Sequence, residues 1–146
     1  MEKAEERGLK TRIADVDKGL DYEDDSFDYV ILCDILEHVY RPRLLLEEAM
    51  RVGGFVEVAA PNVAFVQARL QLLMGNFPTA PLFGYEWYDT QHIHLFSYQD
   101  FKELLSELGG KIEGEWFHTA PIIPQFLADW FPNMFASVFS VEVKEV

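Results

Sequence analysis

The spacing of apolar residues changes period several times along the chain, and each change marks an element. Glu2 to Arg7 is a short helix-forming run, with Gly8 where a helix C-cap sits. Lys10 to Val16 alternates loosely and predicts a short strand ending in Asp15 and Asp17. The acidic, polar stretch Leu20 to Ser26 predicts a loop. Phe27, Tyr29, Val30, Ile31 and Leu32 then form an apolar run broken by Asp28, the pattern of a parallel strand buried on both faces. Arg43 to Met50 returns to helical spacing. Leu44, Leu45, Leu46, Ala49 and Met50 give it a broad apolar face, and Pro42 is tolerated in its first turn, where no N–H is needed.

Gly53 and Gly54 stop that helix. Phe55 to Ala60 reads as the next strand, and Pro61 and Asn62 end it, with Asn62 placed to cap a helix over Val63 to Met74. Residues 75–96 form a long loop rich in aromatic and turn residues, expected to serve as a functional loop or lid. Ser97-Tyr98-Gln99-Asp100 has capping-box spacing, with Asp in the fourth place. The helix behind it carries Phe101, Leu104, Leu105 and Leu108 and closes at Gly109 and Gly110. Lys111 to His118 predicts a strand. Pro121, Pro124 and Pro132 punctuate an apolar connector, and Phe135 to Val146 predicts a final strand whose end alternates Val141, Val143 and Val146 with Glu142, Lys144 and Glu145. Strands alternating with helices predict an α/β layered domain with a mostly parallel sheet, here a single domain over residues 1–146. The closing pair has no clear helix between its strands, which allows an antiparallel last strand.

Composition narrows the class. The chain has 146 residues, 49% of them hydrophobic and 25% charged, as in ordinary globular proteins. Twelve Lys and Arg against 25 Asp and Glu leave a net charge of −13, and the basic residues are scattered, so no nucleic-acid partner is expected. The longest uncharged stretch, Leu70 to Tyr85, contains Gly75, Asn76, Pro78, Pro81 and Gly84, so no membrane span is expected. A single cysteine, Cys33, cannot form an internal disulfide, and Met1 to Arg12 has no apolar core of a signal peptide. Together these give the expectation of a cytoplasmic protein.

Three stretches in order carry a resemblance. The first is Ala14-Asp15-Val16-Asp17, followed by Ser26 to Leu32 and Leu36-Glu37-His38-Val39. The second is Arg51 to Val58 with Pro61-Asn62. The third is His92-Ile93-His94-Leu95-Phe96-Ser97 ahead of a helix. This set resembles the class I S-adenosylmethionine-dependent methyltransferases from the middle of the domain to its end. Within that superfamily, Tyr85 to Thr90 leading to His92-Ile93-His94-Leu95, and the short Arg51-Val52-Gly53-Gly54 turn, look like the MetW family of methionine-biosynthesis proteins. Glu37-His38-Val39 is closer to the general methyltransferase pattern.

The resemblance implies a Rossmann-like sheet of strand order 3-2-1-4-5-7-6. No G-x-G-x-G occurs in the sequence, so the expectation is an amino-terminally truncated sheet without its first two strands and their Gly-rich turn. The Lys10–Val16 strand then pairs with the Phe27 strand, pairs with another chain, or leaves an exposed edge through which copies assemble.

For the cofactor, the resemblance implies that Asp15 accepts from the adenine amino group, that the Val16 backbone meets the ring, and that the Cys33 carbonyl, Asp34 and Glu37 lie along the pocket. The plain alternatives are a strand-end cap for Asp15, a small buried hydrophobe for Cys33 and a solvated helix start for Glu37 and His38. S-adenosylmethionine is the implied cofactor, with weak or absent binding expected because the Gly-rich half is not represented. His38, His92 and Tyr88 are candidate catalytic residues, an imidazole serving as general base near neutral pH. Asn62, Asp89 and His94 are candidates for holding the substrate. His92 and His94 alone lack an obvious third ligand, so no metal is expected. The aromatics Phe83, Tyr85, Trp87, Trp116, Phe117, Trp130, Phe131 and Phe135 read as core, as an interface or as the wall of an apolar pocket. Two functions follow from the resemblance: methyl transfer to a small-molecule acceptor, and a non-catalytic role as partner of a homoserine acyltransferase in methionine biosynthesis.

Overall fold

The computed structural model describes residues 2–78 and 86–145. Phe83 and Tyr85, named above among the aromatics, lie outside the described residues. Helix α1 (Glu2–Glu5) opens the chain, and a single 3-10 turn follows at Val16–Lys18. Then come β1 (Phe27–Cys33), α2 (Pro42–Val52), β2 (Gly53–Pro61), α3 (Val66–Leu73), α4 (Tyr98–Glu107) and β3 (Gly110–His118). Two short helices, α5 (Gln125–Trp130) and α6 (Pro132–Phe135), lead to β4 (Val138–Glu145). No helix among the described residues is long and apolar enough to cross a membrane.

The sheet order is β1-β2-β4-β3. β1 and β2 run parallel, and β4 is antiparallel to both β2 and β3. This is the 4-5-7-6 portion of the order expected from the resemblance, with the last strand inserted antiparallel as the sequence allowed.

One face of the sheet is dry. Val56, Val58 and Ala60 of β2 and Phe139, Val141 and Val143 of β4 are buried there, under Leu45, Leu46, Ala49 and Met50 of α2 and Phe101 and Leu105 of α4. Phe139 sits 5.2 Å from the Phe101 ring and 5.3 Å from the Tyr98 ring, which makes it the centre of the aromatic packing. The α2–β2 junction is close because Gly53 has no side chain. A Cβ there would stand 2.6 Å from Val30 Cγ2 and 3.1 Å from the Ala49 carbonyl.

Four sequence expectations are corrected. Lys10 to Val16 forms no strand, because no strand among the described residues pairs with it. The Asp17 carboxylate instead accepts the backbone N–H groups of Tyr40 and Arg41 (3.3 and 2.7 Å), capping α2 from a distance in sequence and drawing the segment onto that helix. β1 is not buried on both faces: Tyr29 and Ile31 are 57% and 70% exposed on the outer side, because β1 is the sheet edge and no helix among the described residues covers that side. Asn62 does not cap α3. The helix starts later, with Phe65 at its N-cap, and the amide of Asn62 is engaged elsewhere. The connector after His118 is partly helical, since Pro124 and Pro132 sit before or at the first position of α5 and α6, where proline starts a helix rather than breaking it. The Ser97–Asp100 capping box forms as read.

Residues 19–25 are tied to α2 by Arg51. Its guanidinium donates to Glu48 and Asp24 and to the carbonyls of Leu20 and Tyr22. Glu48 also accepts the Leu20 N–H at 2.8 Å. The Arg51 bond, with the Leu20 N–H, holds the Glu48 carboxyl down at about 2, against an ordinary 4.5. A carboxylate depressed on folding stabilises fully above the ordinary value and loses that contribution as pH falls toward the folded value. Arg51→Met is therefore expected to cost roughly 1–2 kcal/mol at pH 7 after solvent screening, in urea unfolding. The gap to the parent should narrow as pH drops from 4.5 toward about 2.

Candidate functional site

The parallel strands β1 and β2 deliver their loops to one edge, where open α/β sheets form crevices. β1 ends at Cys33, and Asp34 turns the chain sharply with a φ of 47°, a left-handed conformation uncommon outside glycine. Its N–H still donates to the Ala59 carbonyl at 3.0 Å, so the turn is fixed to β2. The next residues fold back, with the His38 N–H bonded to the Ile35 carbonyl. This brings Glu37 inward and leaves His38 at the surface.

The segment before α4 docks onto this turn. The Glu37 carbonyl accepts the N–H groups of both Ile93 and His94 (2.8 and 3.2 Å). The His38 ring lies 4.6 Å from the His92 ring, edge to face. Nδ1 of His38 is 3.1 Å from the Gln91 carbonyl, which can only accept, so Nδ1 carries the hydrogen and Nε2 presents its lone pair. One ligand-type atom from each of Glu37, His38 and His92 lies within 4.8 Å of the others.

Glu37 is the unusual member. It is 1% exposed, and neither carboxylate oxygen has a hydrogen-bond partner among the described residues. Burial pushes its carboxyl above the ordinary range, with nearby Asp34 adding and His38 opposing. Burial also lowers the His92 pKa, helped by the neighbouring His38 and opposed by Asp34, which favours the neutral imidazole. A neutral imidazole can accept a proton or donate a lone pair.

The other candidates are placed elsewhere. His94 turns away from His92 into an apolar recess of about 200 Å³ lined by Leu36, Pro42, Phe96, Phe101 and Leu104. Its Nε2 is buried there without a hydrogen-bond partner among the described residues. Tyr88 is exposed and packs edge-on against Trp87, and the Asp89 carboxylate accepts the Glu86 N–H within its own turn. Asn62 is fully buried. Its Nδ2 donates to the Ala136 carbonyl at 2.8 Å and its Oδ1 accepts the N–H groups of Ala64 and Tyr98. Asp15 caps the Val16–Lys18 turn and pairs with Lys18 at 2.8 Å, in a groove shared with Arg12, Leu20 and Glu48. Cys33 is exposed, its thiol directed at Asp34. The sequence missed the docking of residues 91–94 on Glu37, because a carbonyl acceptor leaves no mark in residue type.

The sequence pattern of the family described as "Methionine biosynthesis protein MetW" matches residues 1–141. The chain belongs to the MetW family. It is 35% identical over 114 residues to the "Bifunctional methionine biosynthesis protein MetXA/MetW" of Rhodopirellula baltica, a match covering 76% of this chain and 18% of that protein. The chain thus spans under a fifth of that curated relative. Among solved structures it is similar to a SAM-dependent methyltransferase from Thermotoga maritima, with a TM-score of 0.67 and 17% identity, covering 99% of this chain and 68% of that one. It is also similar to magnesium protoporphyrin IX methyltransferase from Synechocystis, with S-adenosylhomocysteine bound in that structure. There the TM-score is 0.51 at 13% identity, and the match covers 82% of this chain and 45% of that one. These likenesses show a class I methyltransferase fold for this MetW-family chain.

S-adenosylmethionine is the cofactor that this fold implies. Asp15, which the resemblance places against adenine, lines an open groove and makes an exposed ion pair with Lys18 that a ligand can displace. The chemistry open to the site is that of its own side chains, a buried carboxyl and two imidazoles.

Proposed function

We propose that this chain works in methionine biosynthesis as a methyltransferase-fold partner of a homoserine acyltransferase. The observation that carries this reading is the match to a relative whose name joins MetXA and MetW in one protein. The test is co-expression with the homoserine acyltransferase of the same organism, followed by size-exclusion chromatography with light scattering and acyl-transfer kinetics. A stable mixed complex with altered kcat or KM supports the reading. Separate elution with unchanged kinetics overturns it, whether this chain runs alone as a monomer or as a dimer.

A second reading is methyl transfer to a small acceptor. The Glu37, His38 and His92 group and the recess beside His94 favour it. In that case the His92 imidazole, beside Glu37 and His38, takes a proton from the acceptor. Calorimetric titration with S-adenosylmethionine separates the two readings, because methyl transfer requires cofactor binding and partnership does not.

A further inference from the structure

We propose that Glu37, His38 and His92 form a binding site for a single divalent transition-metal cation of the zinc class. Three observations converge on it. The ligand atoms of the three side chains lie within 4.8 Å of one another. A zinc-class ion holds N and O ligands at about 2.0–2.2 Å, which puts ligands on one ion roughly 3–3.6 Å apart. The remaining closure of about 1–2 Å is within the reach of side-chain rotation at His38, which is exposed, about its bond to the Gln91 carbonyl.

The second observation is Glu37 itself. A carboxylate 1% exposed, with no hydrogen-bond partner for either oxygen among the described residues, is costly unless a proton or a cation accompanies it. A cation at the meeting point with the two imidazoles removes that cost.

The third is the orientation of His38. Its Nδ1–H is held by the Gln91 carbonyl, which fixes the tautomer with Nε2 unprotonated. Metal-binding histidines are commonly set in this way, the far nitrogen donating to a backbone carbonyl or carboxylate. His92 and His94 do not share the site: two of its ligands come from Glu37 and His38, brought to His92 by the bonds from Ile93 and His94 to the Glu37 carbonyl.

Two imidazoles and one carboxylate select against magnesium and calcium, which prefer all-oxygen shells, and suit zinc, iron(II) or manganese(II). The net charge of −13 favours any cation at the surface of this chain, so the test must separate a built site from general attraction. The site stands whether the chain is a catalyst or a partner, and three protein ligands leave positions open for water or a small acceptor.

The experiment is isothermal titration of Zn²⁺ and of Mg²⁺ into the EDTA-treated full chain. It is repeated on His38→Ala, His92→Ala, Glu37→Gln and the control His118→Ala, with circular dichroism confirming the fold of each. The expected result is one Zn²⁺ per chain, no comparable Mg²⁺ binding, at least a 10-fold to 100-fold weaker Zn²⁺ affinity in His38→Ala and His92→Ala, and no change in His118→Ala. His38 is exposed, so its variant keeps the test readable if Glu37→Gln fails to fold. Absence of stoichiometric Zn²⁺ binding overturns the proposal, as does equal affinity in parent and His38→Ala, which would mark adventitious binding at the acidic surface.

Discussion

Asn62→Leu is expected to lose about 3–4 kcal/mol in stability, one of the two largest effects that the structure points to. The residue is completely buried at the end of β2. Its Nδ2 donates to the Ala136 carbonyl, with longer contacts to Pro132 and Asn133, and its Oδ1 accepts from Ala64 and from Tyr98 at the start of α4. One amide thus joins β2, α4 and the segment before β4. Leucine keeps the branch at Cγ, is larger, and supplies none of these bonds, so the Ala136 carbonyl and the Tyr98 N–H are left buried and unpaired, at about 1–3 kcal/mol each. Equilibrium urea unfolding reads the loss as a lower midpoint at unchanged slope. A variant within 1 kcal/mol of the parent would show that water replaces the amide, and the hub would lose its meaning.

The second large effect runs the other way. Glu37→Met, with metal removed, is expected to raise stability at pH 7 by about 1–3 kcal/mol, because it deletes a buried charge that has no hydrogen-bond partner among the described residues. The sign follows from the direction of the shift. The Glu37 carboxyl is raised on folding, so the folded state binds the extra proton, and its penalty is absent below the ordinary value of 4.5. The penalty grows as pH climbs through the raised value and is constant above it. The gain from Glu37→Met should therefore be present at pH 7 and small at pH 4, measured in parallel denaturant titrations. A gain that is equal at both pH values would mean that packing, not charge, decides the effect. A group retained at a cost to stability fits a site kept for binding.

Much of the fold could be read from apolar spacing. The helix over Pro42–Val52, the strand that follows it and the Ser97 capping box show strong local signals, and the structure places all three within a residue or two of the reading. The antiparallel last strand was legible from the missing crossover helix. Lys10 to Val16 was misread because strand formation depends on a neighbour, and alternation alone does not supply one. The burial of β1 was overestimated for the same reason: the run Phe27 to Leu32 has the composition of a covered strand, and here its outer side is open. The site was half legible. His38 and His92 were singled out separately, yet nothing local joins residues 54 positions apart. Their meeting depends on the Asp34 turn and on the Glu37 carbonyl, both backbone features. Asn62 drew attention for its place at a strand end, and its actual part as a buried hub depends on helices α5 and α6, which the prolines had disguised.

The central claim is that residues 34–38 and 91–94 come together as one site, with the His38 ring against the His92 ring. The most direct measurement is a long-range ¹H–¹⁵N spectrum of the imidazoles in EDTA-treated protein, recorded for the parent and for His38→Ala. The structure predicts His38 as the Nδ1–H tautomer and a clear ring-current shift of the His92 resonances when the His38 ring, 4.6 Å away, is removed. His92 resonances that stay unmoved in His38→Ala, with His38 free to exchange tautomers, would contradict it.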